Sequence, residues 1–237
     1  MRRRRLTARL VPMLVLAPWL AGAEARAQTT TVDEGVFELT LDGRRIGTET
    51  FAIQRRGRGD AVTTTARARI TLDSGAVARQ ITTSLELDGP ALRPSLYQID
   101  IRGPQREQIV GRLAGRRFSA RIISDDGERM REYLADAGAV IVDDGVAHHH
   151  YFLALRADEG ARVPVIIPRQ SRQATARISV DGVESITIGG RSIRARHLVI
   201  AIDGGSTRHL WVDDDDRMLR LTVPATGLVA LRSARPR

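Results

Sequence analysis

The sequence predicts a mainly β fold: a curled antiparallel sheet, closing as a half-barrel, β-spiral or full barrel, with one central helix at about 145–156. Three observations lead there. Stretch after stretch alternates apolar with polar residues, as where Val62, Ala66, Ala68, Ile70 and Leu72 interleave with Thr63, Thr65, Arg67, Arg69 and Thr71. A period of two with one polar side is the pattern of an antiparallel strand with one wet face. Glycine and aspartate turns separate these stretches, among them Asp42-Gly43, Asp73-Ser74-Gly75 and Asp125-Asp126-Gly127, where the backbone needs residues tolerant of tight conformations. One segment, residues 138–168, breaks the rhythm with helical spacing.

Taken in order, Phe37, Leu39 and Leu41 open a first strand, and 46–53 returns beside it. The next hairpin pairs 62–72 with 77–87. Gly89-Pro90 and Pro94 then lead into 95–102, where Tyr97, Ile99 and Ile101 alternate. Strands at about 107–114, 117–124 and 128–135 follow. After the central segment come 174–180, 183–188, 192–202, 206–212, 217–223 and 227–232, with a turn expected at Asp181-Gly182. No linker interrupts 28–237, which reads as one antiparallel domain. A meander of a dozen or so strands must curl or close, because long open twisted sheets are uncommon.

The last hairpins permit a register. If Gly204-Gly205 is a two-residue turn, Ile200 faces His209 and Leu198 faces Trp211, with Trp211 next set against Met218. One face then carries Leu198, Ile200, Ile202, Trp211 and Met218, and the other Val199, Ala201, Leu210, Val212, Leu219, Leu221 and Val223. Apolar groups on both faces mean the sheet is covered twice here.

In the central segment, Asp143 or Asp144 is positioned to cap a helix. Val146, His150 and Leu153 fall on one side of that helix, and His148, Tyr151, Phe152 and Leu155 on another, as expected of a helix plugging the open side of a curved sheet. Val163, Val165, Ile166 and Ile167, around Pro164 and Pro168, make an edge strand or an apolar wall, since proline cannot donate to a central ladder.

Residues 1–27 have the layout of an export signal: Arg2 to Arg5 and Arg9, then an apolar run broken by Pro12 and Pro18, then Ala25-Arg26-Ala27. Cleavage near Ala27 and a periplasmic address are expected. No second apolar run is long enough for an integral helical span. The leader holds six Arg and one Glu, so its removal lowers the net charge from +9 to +4. Neither that charge nor any motif points to nucleic acid. There are no cysteines, which excludes disulfides and zinc–thiolate sites.

Two hairpins and the centre carry a resemblance. Gly35-x-Phe37, Asp42-Gly43-x-x-Ile46-Gly47-x-Glu49-x-Phe51, the closing His209-Leu210-Trp211-Val212-Asp213 with Arg217-Met218-Leu219-Arg220, and the central Val142-Asp143-Asp144 resemble uncharacterised exported β proteins of proteobacterial envelopes. The resemblance implies a β-spiral or half-barrel, an envelope role and no established catalysis. By looser analogy it extends to lipoprotein-carrier-like half-barrels.

Candidate chemistry is sparse. Adjacent residues on a helix point about 100° apart, so the rings of His148, His149 and His150 cannot share one metal ion. Asp213 to Asp216 read as a hairpin turn rather than a calcium site, because the longer ligand spacing of calcium loops is missing. The register puts His197 and His209 on opposite faces, which argues against a joint acid–base site with Asp203, Ser206 or Ser192. Glu49, beside Gly47, reads as a structural hydrogen-bonding residue. The expectation is a non-enzymatic protein without cofactor or metal that binds a lipid-like or other hydrophobic envelope component. Its groove would be lined by Tyr151, Phe152, Leu155, Leu198, Ile200, Trp211 and Met218. The competing expectation is an envelope module with a filled core, working through a protein partner.

Overall fold

The computed structural model describes residues 29–236 except 74, 76, 77, 158 and 159; the expected leader lies outside them. Among the described residues fifteen strands form one sheet. In chain order they are β1 (Thr29–Leu41), β2 (Arg44–Arg56), β3 (Thr63–Asp73), β4 (Ala78–Asp88), β5 (Arg93–Arg102), β6 (Glu107–Ala114), β7 (Arg117–Ser124) and β8 (Gly127–Leu134). After these come β9 (Val140–Ile141), β10 (Arg162–Ile167), β11 (Arg172–Ile188), β12 (Arg191–Ile202), β13 (Arg208–Val212), β14 (Met218–Val223) and β15 (Leu228–Arg232). The spatial order runs from β8 down to β1, then to β15 and down to β9. Every neighbouring pair is antiparallel except β9 with β10. Mainly β architecture with a curled antiparallel sheet is what the alternation predicts.

The order explains the curl. β8 and β9 are the two edges of the sheet, yet only a few residues of chain separate them, so the sheet must bend until its edges approach. The Gln173 side chain bridges the seam: its amide accepts from Leu134 N–H (3.0 Å) and donates to Leu134 C=O (2.7 Å), standing in for a strand partner. Glycine is required at the bend in the first hairpin. Gly47 has a φ of +157°, and a Cβ there would collide with the Thr71 carbonyl on β3. The ladder between β1 and β2 shifts at this point, a β-bulge.

The inner faces of both halves share one apolar core, and a helical segment fills the hollow. It is a 3-10 turn at His148–His150 followed by a short α-helix, α1 (Tyr151–Ala154). The expected dozen-residue helix is thus mostly of the tighter kind, with bonds from His150 N–H to Ala147 C=O and from Ala157 N–H to Ala154 C=O. Val146, Tyr151, Phe152, Leu153 and Ala154 are buried among Phe37, Phe51, Ile70, Tyr97 and Leu198. Among the described residues no helix is long and apolar enough to cross a membrane.

Two sequence expectations fail here. Asp181-Gly182 is not a turn; β11 runs straight through it with a bulge between Val180 and Gly182. The Gly204-Gly205 hairpin is also not a two-residue turn. Asp203 N–H bonds Thr175 C=O and Gly205 N–H bonds Ile202 C=O, and β13 begins only at Arg208. The register becomes Leu198 with Leu210, His197 with Trp211 and Ile200 with Arg208. A slip of one residue exchanges the faces of a strand, so Leu210 and Val212 join the inner core and Trp211 leaves it.

Trp211 packs on the opposite face with Leu219, Ile186, Ile188 and Ala195, backed by Ile193 and Leu231. The far half of the β11–β12 hairpin, beyond the bulge, covers that face and brings Gly189 near the Ser233 carbonyl. The double apolar pattern therefore has two covers: the helical segment inside, and the chain's own hairpin outside.

Candidate functional site

The helical segment is held by a residue from the first hairpin. Glu49, on β2, accepts hydrogen bonds from Ala147 N–H (2.7 Å), His148 N–H (2.8 Å) and His148 Nδ1–H (2.7 Å), and both side chains are wholly buried. A carboxylate on unpaired helical N–H groups satisfies them as a cap does. Neither Asp143 nor Asp144 supplies that cap. Asp143 instead accepts from Tyr97 O–H (2.7 Å), from Asp144 N–H (3.1 Å) and from Arg169 N–H (3.3 Å). Burial raises the Asp143 carboxyl to about 6, against the hydrogen bond from Tyr97 and the charge of Arg169.

The three histidines diverge. His148 turns to Glu49, while His150 directs Nδ1–H to Ala147 C=O (3.0 Å). His149 lies edge-on to Tyr97 and to His148. Burial pushes His149 well below its ordinary range and His150 down to about 3, the latter with help from the Arg208 charge. Among the described residues no group of three or more His, Asp or Glu side chains is arranged to hold a metal ion. In the Asp213–Asp216 turn, Asp213 and Asp215 meet Arg217, Asp214 meets Arg194 and Asp216 meets Arg196.

Beside the helical segment, one end of the spiral opens into a pocket of ≈ 650 Å³. Leu39, Leu41, Ile46 and Leu72 form one wall, Leu221, Val223 and Leu228 another, and residues 143–147 with His150 a third. Arg208, Arg172, Gln170 and Asp144 add polar groups. Arg208 is 7% exposed, and burial lowers its affinity for protons despite the Asp144 charge. Its Nη2 reaches Asp144 at 3.4 Å, while Nη1 has no partner; neither does His150 Nε2. A second depression of ≈ 610 Å³, between β1 and Arg235, lies over Gly35 and Arg232, where the arginine is fully engaged by Asp33 and backbone carbonyls.

Of the seven residues expected to line a groove, none lines the ≈ 650 Å³ pocket. Tyr151, Phe152, Leu198, Ile200 and Met218 are buried in the packed inner core, and Leu155 packs partly buried against it. Trp211 sits on the other face, displaced by the register slip. The pocket is the neighbouring stretch of the same interior, and its walls come from β1, β2, β3, β14 and β15. The alternation of Leu39 and Leu41, and of Leu221 and Val223, signalled those walls without saying which end of the hollow stays open.

The slip also reunites the two histidines that the sequence reading separated. His197 Nε2 and His209 Nδ1 are 3.0 Å apart on the outer face. His197 stacks on Trp211 with ring centroids 4.5 Å apart, and its Nδ1 faces Asp181 (3.2 Å) and Glu184 (3.4 Å). Trp211 donates its indole N–H to Glu184 (2.6 Å), under the Arg220 guanidinium. Asp203 lies elsewhere, paired with Arg177.

No family model matches the sequence, and no curated protein matches it. Among solved structures, the fold is similar to the crystal structure of a beta-barrel-like protein of domain of unknown function DUF1849 from Brucella abortus, with a TM-score of 0.51 and 11% identity. The match covers 87% of this chain and 96% of that one. At that identity the likeness speaks for the fold, a β-barrel-like sheet of unassigned function.

Proposed function

We propose that the protein takes a lipid-like or other hydrophobic component of the cell envelope into the ≈ 650 Å³ pocket, and that it acts by binding rather than by catalysis. The observation that carries this reading is the pocket's wall of leucine, isoleucine and valine side chains from five strands, closed at the back by the helical segment. Concave, mostly apolar sites of a few hundred Å³ with a few polar groups are where small ligands bind. Leu41, 39% exposed, places an apolar side chain at the surface beside it. The leader-like composition of residues 1–27 supports a periplasmic address.

The test is direct. Protein expressed with its own leader and purified from the periplasm is extracted with organic solvent, and the extract is analysed by mass spectrometry. A stoichiometric amphiphile, lost when Leu221→Arg is placed in the pocket wall, is the expected result. An empty extract together with no uptake of a fluorescent lipid would favour the filled-core interaction module instead.

A further inference from the structure

We infer that Arg208 seats the carboxylate head of a single-chain fatty acid in this pocket, an assignment that rests on the lipid-binding reading above. Three side chains that line the pocket carry a buried nitrogen without a partner: His150 Nε2, Arg208 Nη1 and Arg172 Nε. His150 has given its Nδ1–H to Ala147 C=O, so in its neutral form Nε2 offers only a lone pair. The two arginines have an N–H to give, and of these Arg208 is buried while Arg172 is only partly so. A buried guanidinium nitrogen without a partner is costly, and a carboxylate is the group whose geometry suits an arginine fork.

Head-group charge is limited by the surroundings. Asp143 and Asp144 both line the same end of the pocket. Asp144 is held by Arg208 and by the Gln170 amide, and Asp143 by Tyr97. Arg172, which leans on the Gly204-Gly205 turn and donates to Asp203 C=O (2.8 Å), is the other cation at the mouth. One added negative charge is matched by Arg208. A dianion would have to draw on Arg172 at the mouth as well, while still facing the two aspartates. The apolar walls then receive an alkyl chain rather than a second polar unit.

Displacement of the neutral dye N-phenyl-1-naphthylamine from the purified, delipidated protein tests this with laurate, dodecanol and dodecyl phosphate. Laurate is expected to displace the dye about tenfold better than dodecanol, the size of one hydrogen bond to a charged group, and better than the phosphate dianion. Arg208→Gln should erase the laurate advantage and leave dodecanol unchanged, and Arg208→Lys should keep part of it. If laurate and dodecanol compete equally, or the phosphate wins, the inference falls while the lipid-binding reading stands. If the dye and all three compounds fail to bind, both fall. Should Arg208→Gln not fold, the comparison of ligands on the unaltered protein still decides.

Discussion

The Glu49 carboxylate and the His148 imidazole meet at 2.7 Å inside the spiral, with neither side chain exposed to solvent. The contact ties the first hairpin to a helical segment 99 positions further on, and Phe51 stacks on the same imidazole. Glu49→Gln keeps the shape but turns an amide toward N–H donors that had a charge to bond. It should lower stability by about 3 kcal/mol, in the range for losing hydrogen bonds to a buried charged group. Urea denaturation is the measurement. His148→Ala added to Glu49→Gln should cost less than the sum of the two, and an unshifted midpoint for Glu49→Gln would show that the cap is dispensable.

Acid should loosen the protein by way of the enclosed histidines. His149 and His150 have folded-state values below the ordinary 6.5 because burial disfavours the imidazolium. The unfolded chain then binds protons that the folded chain refuses, so stability present above pH 6.5 is lost as pH falls. Each histidine contributes up to about 1.4 kcal/mol per pH unit. Asp143 has the opposite sign: its folded-state value, about 6, lies above the ordinary 3.8, so protonation in that interval favours the folded state. Asp33, also raised by burial, adds to this at the acid end. The sum is a loss that begins near pH 6.5 and continues at about one histidine's slope toward pH 4. His150→Gln should flatten it. Unfolding free energies measured at pH 8, 6.5 and 5 decide, and a gain in stability on acidification would contradict the assignment.

On the outer face, Trp211 is the anchor of the folded-back β11–β12 hairpin, through Ile186 and Ile188 and through its bond to Glu184. Trp211→Ala should cost about 3–4 kcal/mol by the usual measure for a large buried ring, and should also free the hairpin locally. The exposed Arg191 and Arg194 then become early sites of tryptic cleavage. Glu184→Gln, which removes a partly exposed partner, should shift the indole emission while costing under about 1 kcal/mol. If cleavage at Arg191 is no faster in Trp211→Ala, the hairpin is held by something other than this ring.

The strand alternation made the sheet legible from sequence because a period of two survives every local irregularity except a bulge. Fold class, most strand positions and the helical plug follow from it. The failures sit where a single residue is inserted or a turn is longer than its glycines suggest. Gly182 marked a bulge instead of a turn, and Gly204-Gly205 belonged to a wider loop held by Thr175 and Arg172. One slipped residue sufficed to move Trp211 off the inner face and to bring His209 onto His197. The pocket was hidden for another reason: alternation says that Leu39 and Phe37 both face inward, but not that Phe37 is packed solid and Leu39 borders open space. Glu49 was read as structural, and its partner could not be named because the helical cap comes from a distant strand.

The chain's two described ends are clasped by a buried ion pair, Arg232 with Asp33, at 2.8 and 3.1 Å. The guanidinium also donates to the carbonyls of Met218 (3.1 Å) and Glu34 and lies over Phe51. With each side chain 2% exposed, removing one partner strands the other's charge, and Arg232→Met should destabilise by about 3–5 kcal/mol. Replacing both, as Asp33→Leu with Arg232→Met, should recover most of the loss, because the desolvation of the pair offsets its attraction. Gly35 offers a gentler probe. A Cβ there would stand 2.9 Å from Arg232 Nη2, so Gly35→Ala should displace the guanidinium and cost more than a surface glycine replacement. If chemical denaturation instead finds Gly35→Ala neutral and the double variant no more stable than Arg232→Met alone, the clasp is not what joins β1 to β15, and the backbone ladder from Phe37–Arg232 to Leu41–Leu228 closes the spiral unaided.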